Sequence, residues 1–285
     1  MLAGLLQHGY RAPLSLLLLS CAAIWLVSRG AAPAAPRQIP SAHDDTTPGW
    51  FLDCSNTVAP SHEAYVEKQC VLPAAAPGTH TIACVGDSIT LGAGGDPGGY
   101  PRLLHERLRA RGLRYNVVSF GESGATLQRS GNSPYTARAS WPRLLAAGGR
   151  LDTIVLMAGT NDAKTGLPER GEAPNWRGEA AFASEYAWML SQLAALPARP
   201  RLLAVTPVPL YPPNPFTMQP AVINDALPRL VAQAAAEAGA QLLDGFGCLG
   251  GAALARPELF ADGCHPNAHG YAVLADCVQQ ALLGR

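Results

Sequence analysis

"LDTIVLMAG", residues 151–159, decides the fold. After Asp152 the run is apolar almost without a break. A strand with one face in water alternates apolar and polar side chains, whereas a strand apolar throughout is covered on both faces. "HTIACV" (80–85), "YNVVSF" (115–120), "RLLAVTPV" (201–208) and "AQLLDGF" (240–246) read as further strands. Helical segments lie between and after them. "YPRLLHERLRARG" (100–112) is amphipathic, with Pro101 near its start and Gly112 past its end. "AFASEYAWMLSQLAAL" (181–196) and "AVINDALPRLVAQAAAEAG" (221–239) follow, the second kinked at Pro228. "PNAHGYAVLADCVQQALL" (266–283) closes the chain, with Pro266 near its first turn. This alternation predicts the α/β class: a three-layer α/β/α sandwich around a five-stranded parallel sheet. Ligands of such sheets gather beyond the C-terminal strand ends, so the chemistry is expected just after residues 85, 120, 158 and 244.

Composition narrows the function classes. The 285 residues suit one sizeable domain plus extras. With 48% hydrophobic and 15% charged residues, a folded body is expected rather than disorder. Lys+Arg and Asp+Glu both number 21 and no basic block exists, which removes the electrostatic case for nucleic acid. "LSLLLLSCAAIWLV" (14–27) carries no charge and lies between Arg11 and Arg29. Two main readings stand, a cleaved signal and an uncleaved signal anchor, with a buried core helix as the third. The main readings predict a secreted or membrane-anchored, extracytoplasmic protein, the anchor form tethered to the membrane through residues 12–28. The expected organisation is a signal segment (1–29), an Ala/Pro-rich linker (30–50), an N-terminal extension (51–79) and the main domain (80–285). Six cysteines lie outside the apolar run and permit disulfides. Cys54 with Cys70 is the first expected pair, because it would staple a segment lacking a core. Cys248 with Cys264 or Cys277 is the second, and Cys84 reads as a buried strand thiol. No C-x-x-C zinc spacing is present.

Four short stretches carry chemistry. In "VGDSIT" (85–90) a serine stands on a tight turn between strand and helix, exposing its hydroxyl as an acyl-transfer nucleophile requires. The pattern is not G-x-S-x-G. In "GESGAT" (121–126), Gly124 can bring a backbone N–H close to a developing oxyanion. In "AGTNDAK" (158–164), Asn161 offers a side-chain donor at a strand end. In "FADGCHPNAHG" (260–270), Asp262 stands three before His265 and His269 four after it. Taken singly, the first three stretches are ordinary turns. The H-x-x-x-H pair would suit zinc on a helix face, but no Glu completes an H-E-x-x-H pattern and Pro266 and Asn267 intervene. No metal is therefore expected, and His269 reads as a helix-face residue near the site. Asp87 is expected to support the serine turn and to stand beside the substrate, and Asp162 to support its own turn beside Asn161. Trp176, in "APNWRG" (173–178), is expected to place an indole over the pocket. Tyr211 and Phe216 in the proline-rich loop 206–220 are candidate pocket walls.

In this order, GDSIT, G-x-S-G, GTND and D-x-x-H-P resemble the SGNH hydrolases, also called the GDSL esterase/lipase family, over roughly residues 80–283. The family's four letters match Ser88, Gly124, Asn161 and His265. The resemblance implies an SGNH, flavodoxin-like sandwich and a serine esterase that needs no cofactor. It implies Ser88 as nucleophile, His265 as base and Asp262 as the carboxylate orienting it. It implies an oxyanion hole of the Ser88 and Gly124 N–H groups and the Asn161 side chain. "YNVVSFGESGAT", "LMAGTNDAK" and "NW" look like the branch holding sialate O-acetylesterase-like and other carbohydrate O-acetylesterases, so the implied partner is a small acyl ester on a carbohydrate. A lysophospholipase or short-chain lipid esterase, a glycan O-acyltransferase and a non-catalytic glycan-binding module are the alternatives. Cys264, between Gly263 and His265, departs from the pattern; a disulfide there would tie down the histidine loop.

Overall fold

Two apolar cores, one on each face of a parallel sheet, account for strands that are apolar throughout. The computed structural model describes residues 49–55, 70–166, 171, 173–251 and 254–284. Its strands are β1 (Phe51–Asp53), β2 (His80–Gly86), β3 (Tyr115–Gly121), β4 (Thr153–Met157), β5 (Arg201–Val205) and β6 (Gln241–Leu243). They lie in the order β1-β3-β2-β4-β5-β6, every neighbour parallel. Successive side chains of a strand point to opposite faces. Thus Ala83, Val85, Val118, Phe120, Ile154 and Leu156 enter one core, while Ile82, Cys84, Val117, Val155 and Met157 enter the other.

The helices, in chain order, are α1 (Ser88–Leu91), α2 (Gly99–Ala110), α3 (Ser140–Ala147), α4 (Glu179–Ala194), α5 (Leu227–Ala238), α6 (Gly245–Cys248) and α7 (Ala268–Leu283). Leu144 of α3, Phe182 and Leu190 of α4 and Val231 of α5 cover the first core. Leu104 and Leu108 of α2 and Leu274 and Val278 of α7 cover the second. The three layers match the expected class.

The sheet differs from expectation in one respect: it has six strands, because Phe51–Asp53 pairs with Val117–Ser119 at its edge. Three residues are too few to show a period, so this strand leaves no pattern in the sequence. The expected kink at Pro228 is a π-turn over Val222–Ala226, after which α5 begins with the proline in its first turn. A widened turn fits there because proline lacks the N–H that would otherwise continue the ladder.

Disulfides join Cys54 to Cys70 and Cys248 to Cys277, while Cys84 and Cys264 are free and buried. Cys264 therefore does not tie down the histidine loop by a disulfide; its sulfur lies 3.8 Å from that of Met218. The secreted or membrane-anchored localisation expected from the apolar run is corrected here. Among the described residues no helix is long and apolar enough to cross a membrane. Residues 12–28, on which that expectation rested, lie outside the described residues, as do the signal segment and most of the linker.

The order of strands creates a switch point at β2, whose neighbours β3 and β4 lie on opposite sides. Gly86, its last residue, is level with both Gly121 and Met157. A side chain there would strike the Met157 carbonyl oxygen and the Thr90 hydroxyl. Gly86→Ala should therefore destabilise the fold by about 3 kcal/mol, the upper end for overpacking a tight site. Urea unfolding would measure this, and a loss below about 1 kcal/mol would mean that the strand end and α1 separate easily.

Candidate active site

The serine turn is built by its neighbour. Asp87 caps α1 by accepting the Ile89 N–H at 2.9 Å, which places Ser88 as the first residue of the helix. Ser88 Oγ lies 2.9 Å from His265 Nε2, across 177 residues of chain. On the other side of the ring, His265 Nδ1 lies 2.7 Å from Asp262 Oδ2. The second oxygen of the same carboxylate accepts the backbone N–H groups of His265 (2.7 Å) and Cys264 (3.0 Å). One carboxylate thus holds both the ring and the loop that carries it.

That loop is anchored on three further sides. Gly263 has φ +83° and packs where a side chain would meet the Tyr211 and Pro213 carbonyls; its own carbonyl accepts the Tyr211 N–H. Asn267 caps α7 through the N–H groups of His269 and Gly270. Phe216 stands edge-on to the imidazole, 5.1 Å between centroids. Burial alone would raise the Asp262 carboxyl. The hydrogen bonds from the His265 backbone, the imidazole and the Cys264 N–H outweigh it and hold the group below its ordinary range. Asp262 therefore stays ionised, fixes the ring tautomer and leaves Nε2 to face the serine.

The donors come from the neighbouring strand ends. Because Gly86 is level with Gly121 and Met157, the loops after β2, β3 and β4 emerge side by side. Gly124, in the second loop, has φ +75° and is half-buried, with open space where a side chain would be. Asn161, in the third, is 3% exposed, and its Nδ2 is buried without an acceptor among the described residues. An orphaned buried donor is costly, so such a group signals a missing acceptor. Asn175 holds Asn161 in place, donating from Nδ2 to its carbonyl at 2.9 Å and to Asn132 Oδ1 at 3.0 Å. Asp162 clamps the two loops together, its carboxylate accepting the Leu127 N–H (2.8 Å) and the Gln128 N–H (2.7 Å). A hydroxyl bonded to an oriented imidazole, beside loops with donors to spare, can attack a carbonyl and hold the oxyanion that forms.

The remaining candidates differ in burial. Asp87 is 1% exposed and adjoins Ser88. Burial raises its carboxyl above the ordinary range. Trp176 is half-buried against the first core, with its ring 5.6 Å from Phe182. His269 is exposed on the first turn of α7. Among the described residues, no group of three or more His, Cys, Asp or Glu is placed to hold a metal ion. Asn175 and the inter-loop role of Asp162 escaped the sequence reading, since each depends on partners 14 to 43 residues away.

Residues 84–273 match the GDSL-like Lipase/Acylhydrolase family. An acetylxylan esterase of Xylanibacter ruminicola is 30% identical over 221 residues, covering 70% of this chain and 42% of that protein. The chain thus spans about two fifths of the length of this relative. Among solved structures, a carbohydrate acetylesterase from Sinorhizobium meliloti aligns with TM-score 0.53 at 20% identity, over 72% of this chain and 99% of its own. An acetylxylan esterase from Geobacillus stearothermophilus aligns with TM-score 0.55 at 18% identity, over 71% and 94%. At these identities the structural matches speak for the fold.

The clamp between the loops has a titration signature. Burial raises the Asp162 carboxyl from 3.8 to about 7, against the pull of the Leu127 and Gln128 N–H groups. The folded chain then keeps a proton there that the unfolded chain releases from about pH 4 upward. The stabilisation is full below about pH 4 and lost as pH rises through about 7. Asp162→Asn has no such proton to release. Its stability deficit relative to wild type should therefore be larger at pH 4.5 than at pH 7.5. Urea unfolding at the two values checks this, and an equal deficit at both would mean an ordinary, ionised carboxylate.

Proposed function

The chain belongs to the GDSL-like lipase/acylhydrolase family, and from that premise we propose that it is a serine esterase that removes acetyl groups from a carbohydrate. The observation that carries the reading is the continuous relay of Ser88 Oγ, His265 and Asp262, with spacings of 2.9 and 2.7 Å, beside the unpaired buried amide of Asn161. Ser88 Oγ attacks the ester carbonyl while His265 Nε2 accepts its proton. Asp262 stabilises the imidazolium without taking a proton itself. The oxyanion takes hydrogen bonds from the Ser88 and Gly124 N–H groups and from Asn161 Nδ2. The tetrahedral intermediate collapses, the alcohol leaves with the proton from His265, and Ser88 carries the acyl group. Water, deprotonated by His265, then attacks the acyl-enzyme, and the acid leaves as Ser88 recovers its proton. The substrate class rests on the relative at 30% identity, which bears the name acetylxylan esterase.

The test compares the chain with Ser88→Ala and Asn161→Ala on p-nitrophenyl acetate, butyrate and octanoate, and on acetylated xylo-oligosaccharides. Acetate should be the fastest of the three aryl esters, and Ser88→Ala should abolish hydrolysis. Asn161→Ala should lower kcat by about 10²–10³ with little change in KM, the usual cost of one oxyanion donor. Preference for octanoate would move the substrate to lipids. Equal rates in wild type and Ser88→Ala, both folded, would overturn the esterase reading.

A further inference from the structure

The N-terminal extension reaches the strand end before the Gly124 loop through the Ser55 hydroxyl. Strand β1 ends at Asp53, and its last regular rung joins the Cys54 N–H to the Ser119 carbonyl at 2.8 Å. In a parallel ladder the next rung would run from the Gly121 N–H to the Cys54 carbonyl. That carbonyl instead accepts from Ser140 Oγ and Arg143 Nη1, both at 3.3 Å. The Gly121 N–H donates to Ser55 Oγ at 2.8 Å. A side chain has replaced the missing backbone acceptor. Ser55 is 3% exposed, so without this hydroxyl the Gly121 N–H would be buried and unpaired.

The same hydroxyl touches the other half of the nucleophile site. Ser55 Oγ lies 3.0 Å from Ser119 Oγ, which donates to the Thr90 carbonyl of α1 at 3.4 Å. With Ser119 donating there, Ser55 donates to Ser119 and its lone pairs are left for Gly121. Gly121 is also wedged against α1, since a side chain on it would meet the Leu91 backbone. On its far side, Glu122 donates its N–H to the Gly86 carbonyl at 2.9 Å, and its buried carboxylate accepts the Ser140 N–H at 2.7 Å. Ser55 thus stands between the helix that begins with Ser88 and the loop that carries Gly124. Its neighbour Cys54 is fixed by the disulfide to Cys70. The family match begins at residue 84, so Ser55 lies outside it while its partners Ser119 and Gly121 lie within.

We propose that Ser55 is a positioning residue for the Gly124 loop, held in place by the Cys54–Cys70 disulfide, so that the extension is a working part of the esterase. The proposal rests on the function argued above. The full chain is compared with Ser55→Ala, Ser55→Thr and the double variant Cys54→Ala/Cys70→Ala. Ser55→Ala should lower kcat on p-nitrophenyl acetate about tenfold with KM within about twofold, because a slightly misplaced donor is felt in the transition state. Ser55→Thr keeps the hydroxyl and should restore kcat to within about threefold of wild type, and the double cysteine variant should resemble Ser55→Ala. Stoichiometric labelling of Ser88 by a p-nitrophenyl phosphonate counts intact sites and separates slower turnover from lost folding. Amide hydrogen exchange over residues 121–126 should quicken in Ser55→Ala, and it reads the contact without any ester. Unchanged exchange there, unchanged kcat per labelled site, or failure of threonine to restore it would overturn the role of Ser55. Full kcat in the double cysteine variant would overturn the disulfide's part. If wild type hydrolyses no ester and takes no label, the esterase reading falls, and the exchange result still decides whether Ser55 holds the loop.

Discussion

Three parallel strands end at one level, and the site depends on that register. Gly86 faces Gly121 on one side and Met157 on the other, so the loops bearing Ser88, Gly124 and Asn161 start from adjacent points. A one-residue slip in either pairing would turn alternate side chains into the wrong core. The two apolar cores therefore fix the register, and the register fixes the loops. Packing and chemistry are in this sense one constraint: what seats Val85 and Leu156 in one core also sets where the nucleophile and the amide donor emerge.

Polar groups beneath the loops refine what the sheet begins. Glu122, Asp162 and Asn175 are all buried; Asp162 and Asn175 bond backbone groups of the site loops, and Glu122 ties the Gly124 loop to the Ser140 N–H at the start of α3. Buried polar groups are costly unless paired, so a paired set permits few alternative arrangements. Asn161 Nδ2 is one of the buried side-chain atoms left unpaired among the described residues. Asp87 Oδ2, Thr90 Oγ1 and Gln128 Nε2 are also buried and unpaired, so unpaired polar atoms gather around the loops of the site, where local inconsistency is expected.

The strands and motifs were legible because their signals are local. Continuous apolar runs mark strands covered on both faces, and a Gly-Asp-Ser turn after such a run marks a strand end. The order of four motifs added what no single motif carried. The edge strand β1 was not legible, because Phe51–Asp53 is too short for a period and its partner lies some sixty residues on, at Val117–Ser119. The Trp176 indole packs 5.6 Å from Phe182, a contact that no local feature of its loop reveals. Asp87 read as a support of the serine turn from its place in Gly-Asp-Ser, and it caps α1 by accepting the Ile89 N–H. Ser55 carried no signal at all: one hydroxyl in a segment without periodicity gains meaning only when a backbone rung is missing opposite it.

The site's two halves are anchored by different means. Ser88, Gly124 and Asn161 ride on strand ends, whose positions are set by the cores. Asp262 and His265 ride on a loop that enters the cores through Cys264 and Phe260. That loop depends on many small fixings: Gly263 against the Tyr211 segment, the Asn267 cap, and the Tyr271 hydroxyl, which donates to the Ala93 carbonyl at 2.7 Å just past α1. The Cys248–Cys277 disulfide ties α7, which follows the loop, back to α6. A helix start whose position is fixed at its cap, along its face and by a covalent bond leaves the imidazole little freedom. This matters because proton transfer needs the ring within hydrogen-bonding distance of a serine carried by a strand end. The covalent and capping fixings on α7 thus do for the base what the sheet register does for the nucleophile.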